Sequence, residues 1–164
     1  MKTSDLCDKY GQQITIAEPI GFISYGRRKE FFGQIETVKC FEDNSLVRTA
    51  IEKSGKGKIL VVDGGRSRRC ALLGDMLAAL ALNNEWNGIL IHGSIRDSDE
   101  IANLDIGVLA LGTHPKKSAK NNEGAAQVTV HFSGVDFVPG QFIYIDVDGI
   151  VISKSELALD KMDQ

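Results

Sequence analysis

Three short apolar runs constrain the fold of this chain more than any other feature. Residues 58–62 (KILVV), 88–92 (GILIH) and 106–111 (IGVLAL) are rich in β-formers and have almost no polar face. Strands buried on both sides read this way. Helix-patterned stretches separate them. Asn44 or Ser45 can cap a helix through Leu46, Val47, Ala50 and Ile51 that stops near Gly55. A second, strongly apolar helical stretch covers 76–86, and Asp97 or Ser98 can cap a short third one through Asn103. Strand alternating with helix is the signature of parallel α/β pairing. Residues 31–41 read as a further strand, and 4–10 as an opening helical turn.

The tail of the chain differs. Residues 127–132, 141–146 and 150–153 read as strands, with Pro139-Gly140 and Asp148-Gly149 between them. The second dipeptide is a hairpin signal. Residues 114–126 (HPKKSAKNNEGAA) form a polar loop, and Lys116, Lys117 and Lys120 are expected to be solvated. One α/β domain over residues 1–164, with parallel and antiparallel strands mixed, is the expectation.

Composition excludes several function classes. Nineteen Lys and Arg face 22 Asp and Glu, a net charge of −3, so there is no bulk basic field for nucleic acid or anionic membranes. No apolar stretch is long enough to span a bilayer, and residues 1–13 are too polar for a signal peptide. Cys7, Cys40 and Cys70 are odd in number and widely spaced. That argues against a disulfide framework or a zinc site and favours a reducing cytoplasm. His92, His114 and His131 show no ligand spacing. Arg27, Arg28 and Lys29, with Arg66, Arg68 and Arg69, read as salt-bridged or solvated side chains.

Two polar interruptions carry the chemistry. The run 71–82 (ALLGDMLAALAL) is apolar except for Asp75. A glycine inside a helix costs about 1 kcal/mol, and an isolated buried carboxylate costs far more. Both oddities vanish if Gly74-Asp75 starts a helix. The free amides at Asp75, Met76, Leu77 and Ala78 would then face an anion. A plain aspartate cap accounts for the same residues. The second interruption is Arg96-Asp97, directly after the run 88–92 and its Gly93. An acidic helix start with a salt-bridged arginine is the plainer account there.

Length arithmetic joins the two. A helix from 75 to 86 advances roughly 17 Å at 1.5 Å per residue. A strand from 88 to 93 returns roughly 17–20 Å. Residue 96 therefore comes back to the edge left at residue 75, where open α/β sheets bind ligands. An arginine beside helix amides suits a carboxylate. A lone carboxylate, Asp97, suits Mg²⁺ or Mn²⁺ with several retained waters. Asp75 remains to handle protons. A 2-oxo acid matches all three elements, and a metal would stabilise the enolate left when its neighbouring C–C bond breaks. No lysine is expected in this cluster, which argues against a Schiff-base aldolase, and no G-x-G-x-x-G after a strand or Walker A motif is present.

At these residues the sequence resembles a known family. Asp75, twenty intervening residues and Arg96-Asp97 are similar to the D-x20-R-D signature of class II 4-hydroxy-4-methyl-2-oxoglutarate (HMG) aldolases. The wider chain resembles their short homologues, the regulator of ribonuclease activity A (RraA) and RraA-like proteins. The supporting stretches are DLCD at 5–8, VKCFEDN at 38–44, LVVDGG at 60–65, GDMLA at 74–78 and DIGV at 105–108. The resemblance implies an α/β/β sandwich related to phosphohistidine swivelling domains. It implies a homotrimer or dimer of trimers, and cleavage of HMG to two pyruvates with oxaloacetate decarboxylation through the same pyruvate enolate. It assigns the metal to Asp97 and substrate binding to Arg96 and the backbone of Gly74, Asp75, Met76 and Leu77. Asp75 would orient a water that protonates the enolate. The alternative function it implies is non-catalytic: binding and inhibition of endoribonuclease E. Two departures stand out. Arg66 occupies the place of a third glycine, and Glu156 and Asp160 are the C-terminal acids available where longer relatives use one from a neighbouring subunit.

Overall fold

A computed structural model describes residues 2–159. The chain opens with α1 (Thr3–Tyr10), β1 (Ile14–Ile16) and β2 (Ile23–Ser24), followed by β3 (Phe31–Lys39), α2 (Ser45–Ile51) and β4 (Lys58–Asp63). Next come β5 (Ala71–Leu73), α3 (Asp75–Asn83), β6 (Gly88–Ile95), α4 (Ser98–Ile101) and β7 (Gly107–Thr113). The tail supplies β8 (Ala125–Ala126), β9 (Val130–Phe132), β10 (Val135–Phe137), β11 (Phe142–Ile145) and β12 (Ile150–Ser153).

The main sheet runs β1-β12-β11-β3-β4-β6-β7-β2, with β5 added to β6 and β8 to β3. Its centre, β3 to β7, is parallel, and antiparallel strands complete both sides. The apolar runs alternate between two cores. Leu60, Val62, Ile89, Ile91, Val108 and Ala110 face the core that holds α2 and α3. Ile59, Val61, Leu90 and Leu109 face the other, which the β9–β10 hairpin closes through Val130, Phe132, Val135 and Phe137. One helical layer and one extra β layer therefore cover the mixed sheet, as expected. The uninterrupted apolar runs follow from this, since neither strand face meets water.

Local differences from the sequence reading have local causes. Strands β1, β2, β5 and β10 are two or three residues long, too short to show a period. Helix α3 ends at Asn83, not Trp86; Trp86 is buried after it, and its indole N–H donates to the carbonyls of Ile51 and Lys53. Neither Asn44 nor Ser45 caps α2 through its own side chain. Asp43 does so, accepting the Ser45 amide at 2.9 Å. All three cysteines are free thiols. Among the described residues no helix is long and apolar enough to cross a membrane.

Asp146 ties the two ends of the domain together. It is 6% exposed and accepts the Thr3 amide and hydroxyl at 2.7 Å each, together with the amides of Asp148 and Gly149. Burial opposes its ionisation, but these bonds hold the carboxyl below its ordinary value of 3.8. A depressed carboxylate contributes stability above its unfolded pKa and loses it as the pH falls through its folded one. Asp146→Asn should therefore cost about 1–3 kcal/mol at neutral pH. The wild-type Tm should also fall more steeply than the variant's below the ordinary carboxylate value. Parallel Tm-versus-pH curves would contradict this.

Candidate active site

The residues picked out at 74–77 and 96–97 meet at the carboxyl ends of β5 and β6. Parallel pairing of Leu73 with Ile95 sets them side by side, and the Arg96 amide donates to the Leu73 carbonyl at 2.9 Å. Gly74 has extended backbone, φ −125°, and α3 begins at Asp75. Asp97 stands opposite in the left-handed region, φ 55°, as the residue preceding α4. That turn aims its Oδ2 at the Asp75 amide, 3.2 Å away, and 3.6 Å from Arg96 Nε. A Cβ on residue 74 would lie 2.7 Å from Asp97 Oδ2 and 3.2 Å from Arg96 Nε. The glycine is required by this close approach, not by its own torsions.

The amides at the start of α3 are more occupied than the sequence suggests. Ala78 N–H already bonds the Gly74 carbonyl at 3.0 Å. Met76 N–H donates to Asp75 Oδ1 at 2.8 Å, and Asp75 N–H serves Asp97. Of the four, the Leu77 amide alone keeps no hydrogen-bond partner among the described residues. A carboxylate placed here would be met chiefly by Arg96, whose side chain is 41% exposed.

A cleft of about 420 Å³ opens from this corner. Gly74, Asp75, Met76, Leu77 and Arg96 form one side. The other side comes from α2, through Ser45, Arg48 and Thr49, and from the 114–126 loop, through Lys117, Lys120 and Asn122; Asn44 completes it. Lys117 and Lys120 are exposed, as expected of a solvated loop, and they also line the cleft with Arg48 and Arg96. The lining carries these four cations and the carboxylate of Asp75, while Glu52 and Asp97, outside it, pair with Arg48 at 3.0 Å and Arg96 at 3.6 Å. The loop reaches the cleft because the Ala71 amide bonds the Lys116 carbonyl at 2.8 Å and the Ala119 amide bonds the Glu42 carbonyl at 2.9 Å. No local periodicity signals contacts of that range. The surplus of capping residues in Asp43-Asn44-Ser45 was the available clue.

Asp97 is outside the lining of that cleft; it lines a second opening with Thr113, His114 and Pro115, and Arg96 borders both. His114 Nδ1 accepts the Lys116 amide at 3.1 Å. Asp97 Oδ1 has no hydrogen-bond partner among the described residues, and the side chain is 35% exposed. Those residues contain no group of three His, Cys, Asp or Glu that could hold a metal. One unshared carboxylate oxygen fits Mg²⁺ or Mn²⁺, which keep waters and take substrate oxygens; it does not fit a protein-caged zinc. Burial, with the charges of Asp43 and Asp63, pushes the Cys40 thiol up to about 12, so it offers no nucleophile at neutral pH.

The remaining sequence candidates lie elsewhere. His92 pairs with Asp63 at 3.1 Å and stacks on Phe132, while His131 pairs with Asp136 at 2.7 Å. Arg28 and Arg69 form ion pairs with Asp105 and Glu42. Arg66 adopts φ 63°, directly after Gly65 at φ 63°, so the arginine accepts the left-handed turn of a glycine. Glu156 is outside the cleft lining, and Asp160 lies outside the described residues.

Residues 3–152 match the family model RraA-like, described as Aldolase/RraA. A protein of Aromatoleum aromaticum named "Putative 4-hydroxy-4-methyl-2-oxoglutarate aldolase" is 54% identical over 156 residues, 95% of this chain and 98% of that one. A Geobacillus kaustophilus structure titled S-adenosylmethionine: 2-dimethylmenaquinone methyltransferase superposes with a TM-score of 0.93 at 49% identity, covering 96% of this chain and 97% of that chain. The RNA-processing inhibitor RraA from Thermus thermophilis superposes with a TM-score of 0.93 at 40% identity, covering 98% and 97%.

The approach at Gly74 is testable on its own. Gly74→Ala should fold, because φ −125° suits any residue, at a cost of about 1–3 kcal/mol. Its crystal structure should show Asp97 displaced from the Asp75 amide. A carboxylate still within hydrogen-bond distance would contradict the packing argument.

Proposed function

The chain belongs to the RraA-like family, and from that membership we propose that it is a divalent-metal-dependent HMG aldolase that also decarboxylates oxaloacetate. The observation that carries this reading is the meeting of Asp75, Arg96 and Asp97 at one corner, where Arg96 borders both the cationic cleft that Asp75 lines and the neighbouring opening that Asp97 lines. Arg96 takes the carboxylate next to the 2-oxo group in a charge-assisted bond, with the Leu77 amide beside it. Asp97 would hold Mg²⁺ or Mn²⁺ through the oxygen that bonds no other described residue, and when bound the cation supplies Lewis-acid polarisation of the 2-oxo group.

In the cleavage, the bond between C3 and C4 breaks and its electron pair stays on C3. The C4 hydroxyl loses its proton and becomes the carbonyl of the first pyruvate. Asp75 orients a water that returns a proton to C3, giving the second. Oxaloacetate loses CO₂ in place of pyruvate and uses the same protonation. The far carboxylate of HMG, which stays on the released pyruvate, meets Lys117, Lys120 and Arg48, and the 420 Å³ cleft suits such a small molecule. A sulfonium methyl donor is disfavoured there, since it brings positive charge to four cations. The assembly proposed is a homotrimer or dimer of trimers; Met76, an apolar side chain 80% exposed beside the cleft, supports a covered surface.

A second reading, that the chain binds endoribonuclease E, draws on the 40% identity to a protein titled an RNA-processing inhibitor. One set of measurements separates the two. Purified protein with Mg²⁺ should release pyruvate from HMG and from oxaloacetate, and EDTA or Asp97→Ala should lower kcat/KM by about 10²-fold or more. Turnover untouched by both would refute the metal mechanism. Capture on an endoribonuclease E scaffold with slowed RNA cleavage, and no pyruvate release, would favour the regulator.

A further inference from the structure

The cationic rim of the cleft poses a physical problem. Lys117 and Lys120 sit on a polar segment without helix, and like charges drawn towards Arg48 and Arg96 repel one another. Backbone bonds fix the segment's first half, from the Ala71 amide to the Lys116 carbonyl, from the Ala119 amide to the Glu42 carbonyl and from the Asn44 amide to the Ala119 carbonyl, and leave residues 120–122 to be held by other groups. On its inner side stands Asp43, 1% exposed and outside the reacting cluster. Its Oδ2 accepts the Asn121 amide at 2.6 Å, and its Oδ1 accepts the Ser45 amide at the start of α2 at 2.9 Å. One buried carboxylate thus ties the segment to the helix that supplies Arg48.

Neighbouring bonds follow the same line. The Asn44 amide reaches Ser118 Oγ at 3.1 Å, and the Asn122 amide reaches Ser45 Oγ at 3.1 Å. These have neutral acceptors. The Asp43 bonds are charge-assisted and stronger. Burial opposes ionisation of Asp43, yet hydrogen bonds from Ser45, Asn121 and Glu123 hold its carboxyl below the ordinary value. It is therefore charged at neutral pH, with both oxygens engaged.

We propose that Asp43 is the positioning residue that, beside those backbone bonds, completes the placement of Lys117 and Lys120 on the cleft, and so sets its preference for substrates with a second carboxylate. The substrate half of this inference rests on the reading under Proposed function; the positioning half does not. Asp43→Asn keeps the shape and one acceptor, but turns an N–H₂ towards the Asn121 amide or the Ser45 amide.

The test combines hydrogen exchange with kinetics. In Asp43→Asn, amides 117–122 should exchange about tenfold faster or more, while those of β4 and β6 stay protected. KM for HMG should rise about tenfold with kcat close to wild type. Methyl-proton exchange of pyruvate, which has no second carboxylate, should be unchanged. In a Lys117→Met, Lys120→Met background, Asp43→Asn should add no further KM change, because it acts through those lysines. Unaltered exchange at 117–122 would overturn the inference. So would an equal KM increase in the lysine-free background, or equal damage to the pyruvate reaction, either of which marks a merely structural role. A wild-type protein inactive towards both substrates would instead overturn the aldolase reading, and the exchange of amides 117–122 would still decide the positioning of the segment.

Discussion

A single carboxylate oxygen, Asp97 Oδ2, organises the corner on which the rest of the site depends. It takes the first free amide of α3 and lies where a side chain on residue 74 would have to stand. The amide belongs to the positive end of a helix and the carboxylate is negative, so the contact is favourable in both charge and hydrogen bonding. It holds Arg96 alongside at 3.6 Å and leaves Asp97 Oδ1 without a hydrogen-bond partner among the described residues. The arrangement needs the glycine, the left-handed turn at Asp97 and the parallel pairing of β5 with β6 together. Loss of any one separates the two ends of the D-x20-R-D spacing.

The sheet supplies the rigidity. Strands β4, β6 and β7 are apolar on both faces and packed between two cores, so the ends of these strands are set by the best-buried part of the molecule. The site stands at their carboxyl ends, where the backbone must leave the sheet and polar groups come free. The cleft is then completed by less regular elements, the start of α2 and the 114–126 loop. A rigid floor with a rim assembled by hydrogen bonds divides the labour. In the proposed reaction the floor would fix the reacting end of a substrate, and the rim would meet its far end.

How much was legible in the sequence follows from the range of the interactions. The parallel α/β centre could be read because KILVV, GILIH and IGVLAL carry their burial in local composition. Asp75, Arg96 and Asp97 could be joined because helix rise and strand rise are fixed lengths. That Lys117 and Lys120 would line a cleft could not be read, since their loop is tied by bonds between Lys116 and Ala71, between Ala119 and Glu42, and between Asn121 and Asp43, the last spanning 78 residues of chain. The short strand β5 was invisible for the same reason: three residues that pair with Ser94 and Ile95 have no period of their own. The amides of α3 were overcounted because the sequence cannot show that Asp97 and Asp75 already use two of them.

The central claim is that Asp97 and Arg96 together grip a cation and a 2-oxo carboxylate. Crystals soaked with manganese and oxalate test it directly. The account predicts an anomalous peak at coordination distance from the Asp97 carboxylate, with oxalate bridging the ion and the Arg96 guanidinium. Manganese bound at another carboxylate, or oxalate seated away from Arg96, would contradict it.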